Sequence, residues 1–184
     1  MAGFRLETAR LVIRSWRPAD IVPFAAICAD PVVMATLGPV MNLAETEAMV
    51  ERERAFEAEL GHTFWVVERK ADARLIGKCG IIRGRDGPIV GQPEIGWRLA
   101  SDCWGHGYIT EAARACIDWY FANRDGAAVW AITSVANVRS RAVMARLGMA
   151  HQPELDFDHP RLAADSPLLR HVAYDLPRAR WLQG

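Results

Sequence analysis

The chain has 184 residues, enough for one domain with a substantial buried core. Its 22 Lys and Arg residues balance its 22 Asp and Glu residues, so the formal net charge is zero. That balance argues against bulk electrostatic binding to nucleic acid or to an anionic membrane surface. We therefore expect a single domain over residues 1–184, with neither nucleic acid nor membrane among its partners.

Targeting and metal-binding signals are missing from the sequence. The first residues contain no basic region followed by an apolar one, and no apolar run approaches the roughly 20 residues that span a bilayer. The four cysteines are scattered without a Cys-x-x-Cys pair, which favours free buried thiols over disulfides or a zinc site. These features are typical of a cytoplasmic protein, and we expect no metal.

The first part of the chain combines one strand with two helices. Leu6–Trp16 has an apolar centre that predicts a strand. A helix opens at Pro18, which suits a first helical turn, and ends before Pro31. The second helix, Glu45–Leu60, carries a narrow apolar stripe and stops at Gly61.

Three further strands are separated by short links. Because neighbouring strands with short connections pair side by side, the pattern predicts an antiparallel meander. The strands are Thr63–Arg69, Leu75–Arg83 and Pro93–Ala100.

The organisation changes after the third of these strands. A loop with two glycines leads into a helix that is apolar almost all round and runs to about Asn123, and the strand Val129–Val135 follows. Such a helix is buried against a sheet, and the two strands that it joins should be parallel. A short helix between Asn137 and Gly148 and a last strand, His171–Leu176, complete the chain. The sequence predicts an α/β (α+β) fold with a mixed, mostly antiparallel sheet of about seven strands and helices on both faces.

The segment Trp104–Ala113 is the best candidate for a binding site. Gly105 and Gly107 would let the backbone approach an anion without a Cβ in the way. The helix N-terminus that follows offers unpaired N–H groups and partial positive charge, which suits phosphate. Thr110 could cap this helix or contact a phosphate oxygen. The alternative is a tight turn that uses the glycines for geometry alone.

Two common phosphate ligands do not fit the surrounding residues. No Lys followed by Ser or Thr comes after the loop, as a nucleoside-triphosphate P-loop requires. No acidic residue ends the following strand in the manner of a dinucleotide-binding fold. The same loop is also consistent with a different βαβ enzyme that binds another phosphate ligand.

Several motifs occur in a characteristic order: Leu6–Arg14, Glu94–Trp97, Trp104–Ala112, Asn137–Arg141, Leu147–Met149 and His171–Tyr174. Together they resemble the GNAT superfamily of acyl-CoA-dependent N-acetyltransferases, and within it the branch of ribosomal-protein N-terminal acetyltransferases (RimJ/RimL-like). The resemblance covers most of the chain. It implies acetyl-CoA as co-substrate, two adjacent parallel strands splayed to hold CoA, and direct acetyl transfer to a primary amine.

The resemblance also implies which residues contact the cofactor. The pyrophosphate loop of the family follows Gln/Arg-x-x-Gly-x-Gly/Ala, and Trp104, Gly107 and Ile109 take its first, fourth and last places. Ile109 departs from the usual small residue, so we expect its side chain in the core and the loop amides converging. The pantetheine arm would pair with the first splayed strand. The implied cofactor contacts are Trp97, Arg98, Leu99, Trp104, Gly105, His106, Gly107, Tyr108, Ile109, Thr110 and Asn137.

Two residues are candidates for catalysis. By the family pattern Glu94 would accept the proton of the amine, either with a pKa raised toward neutrality or through water; the alternative is a solvent-facing strand end. Ser140 would meet the leaving thiolate, and the Trp97 N–H would polarise the thioester carbonyl. Asn137 and Ser140 could instead simply cap a helix. His106 is expected to point to solvent.

The acceptor amine is not identified by the sequence. A protein N-terminus, an amino acid, and a polyamine or aminoglycoside all suit a chain without net charge. Its pocket would come from the first two helices, the segment Leu37–Leu43 and the loop near His159. The rival hypothesis is a non-catalytic acyl-CoA-binding or sensing module of the same fold, and family habit suggests a homodimer.

Overall fold

The computed structural model describes residues 3–183 and arranges them around one mixed sheet. The strands in these residues are β1 (Arg5–Glu7), β2 (Leu11–Arg14), β3 (Phe64–Arg69), β4 (Arg74–Arg83), β5 (Pro93–Leu99), β6 (Ala128–Ser134), β7 (Ala150–His151), β8 (Phe157–Asp158) and β9 (Arg170–Pro177). The helices are α1 (Ile21–Cys28), α2 (Pro31–Met34), α3 (Leu43–Leu60), α4 (Tyr108–Asn123), α5 (Val138–Arg146) and α6 (Arg178–Trp181).

The sheet has the order β1-β2-β3-β4-β5-β6-β9-β7, and β8 pairs with β9. Strands β1 to β5 form the predicted antiparallel meander. Strands β5 and β6 are parallel, because the buried crossover helix α4 joins them. The prediction of a mostly antiparallel sheet with one parallel pair is therefore confirmed.

The described residues contain nine strands where about seven were predicted. The predicted strand Leu6–Trp16 is divided in two, because the Thr8 N–H donates to the Leu11 carbonyl at 3.0 Å and closes a turn. This turn folds β1 back onto β2. Strands β7 and β8 have two residues each, too few to show an alternating pattern in the sequence.

The residues after α1 correct a second prediction. Pro31 begins helix α2 instead of only ending the helix before it. The Asp30 side chain accepts a hydrogen bond from the Val32 N–H at 2.8 Å, and a proline at the first helical position loses no bond. The predicted glycine stops are confirmed: Gly61 and Gly148 follow α3 and α5 with φ of 72° and 80°.

Helices cover both faces of the sheet, as predicted. Lys78 of β4 binds Glu53 of α3, whereas its neighbour Cys79 lies against Cys116 of α4. Adjacent residues of a strand point to opposite faces, so α3 and α4 lie on opposite sides. All four cysteines are free and buried, also as predicted.

Two kinds of feature are absent from the described residues. None of the helices is both long enough and apolar enough to cross a bilayer. Nowhere in residues 3–183 do three or more His, Cys, Asp or Glu side chains gather so that they could hold a metal ion.

Candidate functional site

In the described residues, strands β5 and β6 are paired at one position, where Glu94 lies opposite Trp130. The two strands separate after this position. Beyond that pair a cavity of about 640 Å³ opens, which we call the inter-strand cavity. Ten of the eleven predicted cofactor contacts and Ser140 line it: Trp97, Arg98, Leu99, Trp104, Gly105, Gly107, Tyr108, Ile109, Thr110, Asn137 and Ser140. The splayed pair of parallel strands is thus present, and most of the predicted residues meet around the gap.

Along β5, the backbone N–H and carbonyl groups of successive residues point alternately toward strand β4 and toward the gap. The Ala100 N–H donates to the Ile76 carbonyl at 2.9 Å, so the even-numbered residues of β5 exchange hydrogen bonds with β4. Trp97 consequently turns its N–H and carbonyl to the gap, whereas Arg98 pairs its backbone with β4. The Leu99 carbonyl accepts from the Trp104 indole at 3.0 Å.

The glycine loop forms an open concavity at the start of α4. Gly105 and Gly107 have φ of 78° and 75°, a region that favours glycine. A Cβ added at Gly105 would meet no atom within 4 Å, and at Gly107 only the end of the Arg10 side chain, at 3.6 Å. Space for a ligand therefore exists directly against the backbone.

Helix α4 begins without a side-chain cap. No side chain accepts a hydrogen bond at its N-cap, Gly107, so Thr110 does not fill this role. By contrast, the Asn42 side chain caps α3 and the Asn137 side chain caps α5. The first N–H groups of α4 stay free to bind an anion at the edge of the cavity.

The Ile109 side chain, which departs from the family pattern, is partly buried and packs against the hydrophobic core. It borders the inter-strand cavity, which keeps its volume of about 640 Å³. The expected orientation of Ile109 toward the core is therefore compatible with an open loop.

An ion pair that the sequence did not reveal holds the loop in place. The Glu111 carboxylate accepts from Thr8 Oγ1 and from Arg10 Nε, both at 2.6 Å. Arg10 Nη1 also donates to the His106 carbonyl at 2.9 Å. His106 is exposed and does not line the cavity, as expected of a solvent-facing side chain, but its carbonyl anchors the loop. Arg10 lies over the Tyr108 ring at 4.6 Å.

The start of α5 contacts β5 across the cavity. Asn137 Oδ1 accepts from the Ser140 N–H at 3.2 Å, and Asn137 Nδ2 donates to Thr133 Oγ1 at 3.0 Å. The Trp97 indole donates to Ser140 Oγ at 3.2 Å. Asn137 thus caps the helix, and Ser140 is held beside the strand that opens the gap.

Glu94 is half-buried and is not a solvated strand end. Burial, and then the negative charge of Asp86, raise the pKa of Glu94 to about 7, against the opposing charges of Arg161, Lys78 and Arg85. Asp86 is paired with Arg161, and His159 Nε2 lies 3.9 Å from its carboxylate. The loop near His159, predicted to border the acceptor, thus approaches the surroundings of Glu94.

Two arginines of α5 add positive charge to the cavity, and sequence reasoning missed both. Arg139 and Arg146 line it, and the Arg139 guanidinium lies 4.4 Å from the centre of the Trp104 ring. Arg139 is the second residue of α5 and Arg146 its last, so only the register of the helix turns both toward the glycine loop. The cavity therefore carries more positive charge than the start of α4 alone supplies.

Comparison with known proteins gives one family. The model of the acetyltransferase (GNAT) domain matches residues 10–150. The uncharacterized protein YkkB of Bacillus subtilis strain 168 is 31% identical over 151 residues, which are 80% of this chain and 86% of that protein.

Solved structures agree with this match. An acetyltransferase from Agrobacterium tumefaciens strain C58 is similar with a TM-score of 0.77 and 26% identity, over 96% of this chain and 95% of that one. The ribosomal-protein-S5-alanine acetyltransferase from Vibrio fischeri is similar with a TM-score of 0.76 and 18% identity, over 97% and 98% of the two chains. At that identity the second likeness shows the fold alone.

Proposed function

The chain belongs to the GNAT acetyltransferase family, and from that membership we propose that it transfers an acetyl group from acetyl-CoA directly to a primary amine. The observation that carries this proposal is the uncapped start of α4, with two open glycines at one end of a cavity of about 640 Å³. Acetyl-CoA would supply an activated thioester, an extended arm and a pyrophosphate. The residues around the cavity suit each of these parts.

The cofactor would lie in the inter-strand cavity. The amides from Gly105 to Thr110 would bind its pyrophosphate, with Arg139 and Arg146 adding positive charge. The backbone of Trp97 would pair with the pantetheine arm, as a strand edge pairs with an extended peptide. The ion pair between Arg10 and Glu111 would keep the loop amides in position.

Glu94 would be the general base. A base with a pKa of about 7 is partly ionised at neutral pH and still accepts a proton effectively, and Glu94 has that pKa. Ser140 would donate a hydrogen bond to the leaving thiolate, and the Trp97 N–H would polarise the carbonyl under attack. No covalent acyl-enzyme is needed, because the amine attacks directly.

The acceptor is a primary amine of a small molecule or of a protein N-terminus. The order of motifs along the chain resembles the ribosomal-protein branch, in which the acceptor is a protein N-terminus, but it does not distinguish this acceptor from a small-molecule amine. The neighbour from Vibrio fischeri is named for an alanine of a ribosomal protein, but only its fold is similar. A homodimer stays an expectation from family habit.

A thermal-shift measurement followed by a thiol-release assay tests the proposal. We expect acetyl-CoA to raise the melting temperature, and free thiol to appear only when an amine is added. A rise in melting temperature without release for any amine would favour the non-catalytic acyl-CoA-binding module. If a nucleotide raised the melting temperature and acetyl-CoA did not, the cavity would belong to another phosphate ligand.

A further inference from the structure

Two cationic side chains lie next to each other on the face of the sheet that α1 and α3 cover. Lys78 of β4 and Arg98 of β5 are register partners, so their side chains share that face. Lys78 is 7% exposed, and its Nζ binds Glu53 at 2.7 Å. This first charge is therefore paired inside the protein.

Arg98 has no comparable partner. Among residues 3–183 no carboxylate lies within salt-bridge distance of its guanidinium. Its Nη1 contacts only the sulfur atoms of Cys28 at 2.9 Å and Met41 at 3.6 Å. Its Nε is buried and has no hydrogen-bond partner in the described part of the chain. The guanidinium also lies over the Phe24 ring, 5.9 Å from its centre. Since sulfur is a weak acceptor, this half-buried cation has no anionic partner among residues 3–183.

The nearby carboxylates are already engaged. Glu53 accepts from Lys78 and also from Thr63 Oγ1 at 2.8 Å. Asp30, at the end of α1, accepts from Ser101 Oγ at 2.6 Å and from the backbone of α2. An anion for Arg98 would therefore have to come from outside the chain.

Arg98 lies on the same strand as Glu94, the proposed base that receives the proton of the acceptor amine. Arg98 lines the inter-strand cavity and lies four residues beyond Glu94 on β5, so both side chains point to the same face. Four residues of strand span about 13 Å between Cα atoms. Gly96 lies between them on the same face, and the Phe64 ring covers it. An acceptor that reached both side chains would therefore lie over that ring, with its amine and its anionic group a few bonds apart.

We propose that Arg98 binds a carboxylate of the acceptor, so that the substrate is a small amine carrying a carboxylate, of the amino-acid class. This inference rests on the proposed acetyl transfer. A guanidinium matches the planar carboxylate with two parallel hydrogen bonds, which a sulfur atom cannot replace. A polyamine or aminoglycoside carries no carboxylate and would meet the unpaired positive charge of Arg98, so it is disfavoured.

Matched acceptors test the inference. Thiol release from acetyl-CoA is measured with amino acids, with the corresponding amino-acid amides, and with the corresponding decarboxylated amines. We expect kcat/KM to be about 10- to 100-fold higher for the carboxylate, the range of a hydrogen bond to a charged group. Equal rates for all three kinds of acceptor would overturn the inference and leave the acetyl transfer standing. No release with any amine would contradict the proposed function itself.

Variants identify the group responsible. Arg98→Met should remove the preference for the carboxylate mainly through KM, while the melting-temperature shift with acetyl-CoA is kept. Arg98→Lys should keep part of the preference for the carboxylate. If Arg98→Met does not fold, the comparison of this preference between Arg98→Lys and the wild type tests the inference. Arg180→Met, which removes an exposed arginine in α6, is the matched control and should change neither value. A full preference in folded Arg98→Met would contradict the assignment.

Discussion

Glu94 and Trp130 form the single register pair by which β5 and β6 are joined in the described residues. The backbone of Glu94 therefore lies at the point where the strands separate, and its side chain is half-buried there with a pKa of about 7. Burial at this point produces a carboxyl group that exchanges a proton near neutral pH, on the strand that borders the gap. Glu94 itself is not among the residues that line the inter-strand cavity.

The first prediction concerns the pH dependence of transfer. Because the base must be ionised, kcat/KM should rise with pH and level off above about pH 7, the pKa of Glu94. Glu94→Gln should lower kcat by roughly 10²- to 10⁴-fold and remove this inflection. Rate profiles of both proteins over the same pH range provide the measurement. An inflection that persists in the variant would mean that another group is the base.

The second prediction uses the neighbour of Glu94. The Asp86 carboxylate raises the pKa of Glu94 by repulsion, so Asp86→Asn should shift the inflection to lower pH. The change also frees Arg161, whose positive charge acts in the same direction. Asp165→Asn removes an exposed carboxylate of the tail loop and serves as the control. A shift to higher pH would contradict the assigned origin of the pKa.

The third prediction concerns stability. The pKa of Glu94 is raised from 4.5 to about 7, so the folded protein prefers the protonated form. The wild type then loses stability as the pH rises from about 4.5 through 7, because unfolding lets the carboxylate ionise freely. Glu94→Gln should melt at a higher temperature than the wild type at pH 8, with a smaller difference at pH 5. Thermal melts at both pH values test it, and a difference independent of pH would refute it.

The fourth prediction separates backbone strain from ligand contact. Gly105 and Gly148 both have φ near 80° and open space at the Cβ position, but only Gly105 lines the cavity. Alanine at either place should cost about 1 to 2 kcal/mol, because both residues adopt left-handed backbone conformations. Only Gly105→Ala should also weaken acetyl-CoA binding, measured by titration calorimetry. Equal affinity in the two variants would exclude the loop as the pyrophosphate site.

The fifth prediction concerns Ser140. Its hydroxyl accepts from the Trp97 indole and would donate to the leaving thiolate, so Ser140→Ala should lower kcat about tenfold, the value of one good hydrogen bond. The melting-temperature shift with acetyl-CoA should be preserved. Ser166→Ala, in the tail loop, is the control. Unchanged kcat in Ser140→Ala would leave this serine with a structural role alone.

Local patterns in the sequence account for the predicted parts of the structure. The apolar periodicity of α4 predicts a buried crossover helix, and the glycines before it predict an open loop; the helix and a loop with two left-handed glycines are both present. Glu94 and Ser140 are predicted as catalytic residues from motifs within one segment each, and those roles stay predictions. Such signals are readable because they depend on residues close together in the chain.

The remaining parts depend on contacts between distant residues. Arg10 and Glu111 are 101 positions apart, and no spacing rule joins them. The contact between Arg98 and Cys28 likewise follows from how α1 lies on β5. The two-residue strands β7 and β8 exist because β9 offers an edge, not because of their own composition.

The gap between β5 and β6 links the stability of the protein, and hence its abundance in the cell, to the ligand that fills it. A ligand that occupied the gap would take the position of a missing strand. Because the gap exists only in the folded protein, binding of that ligand would stabilise the folded state against unfolding. A ligand present at 100 times its dissociation constant would add about 2.7 kcal/mol to the stability of the fold. Since chains that unfold less often are degraded less, the abundance of the protein would rise with the supply of that ligand.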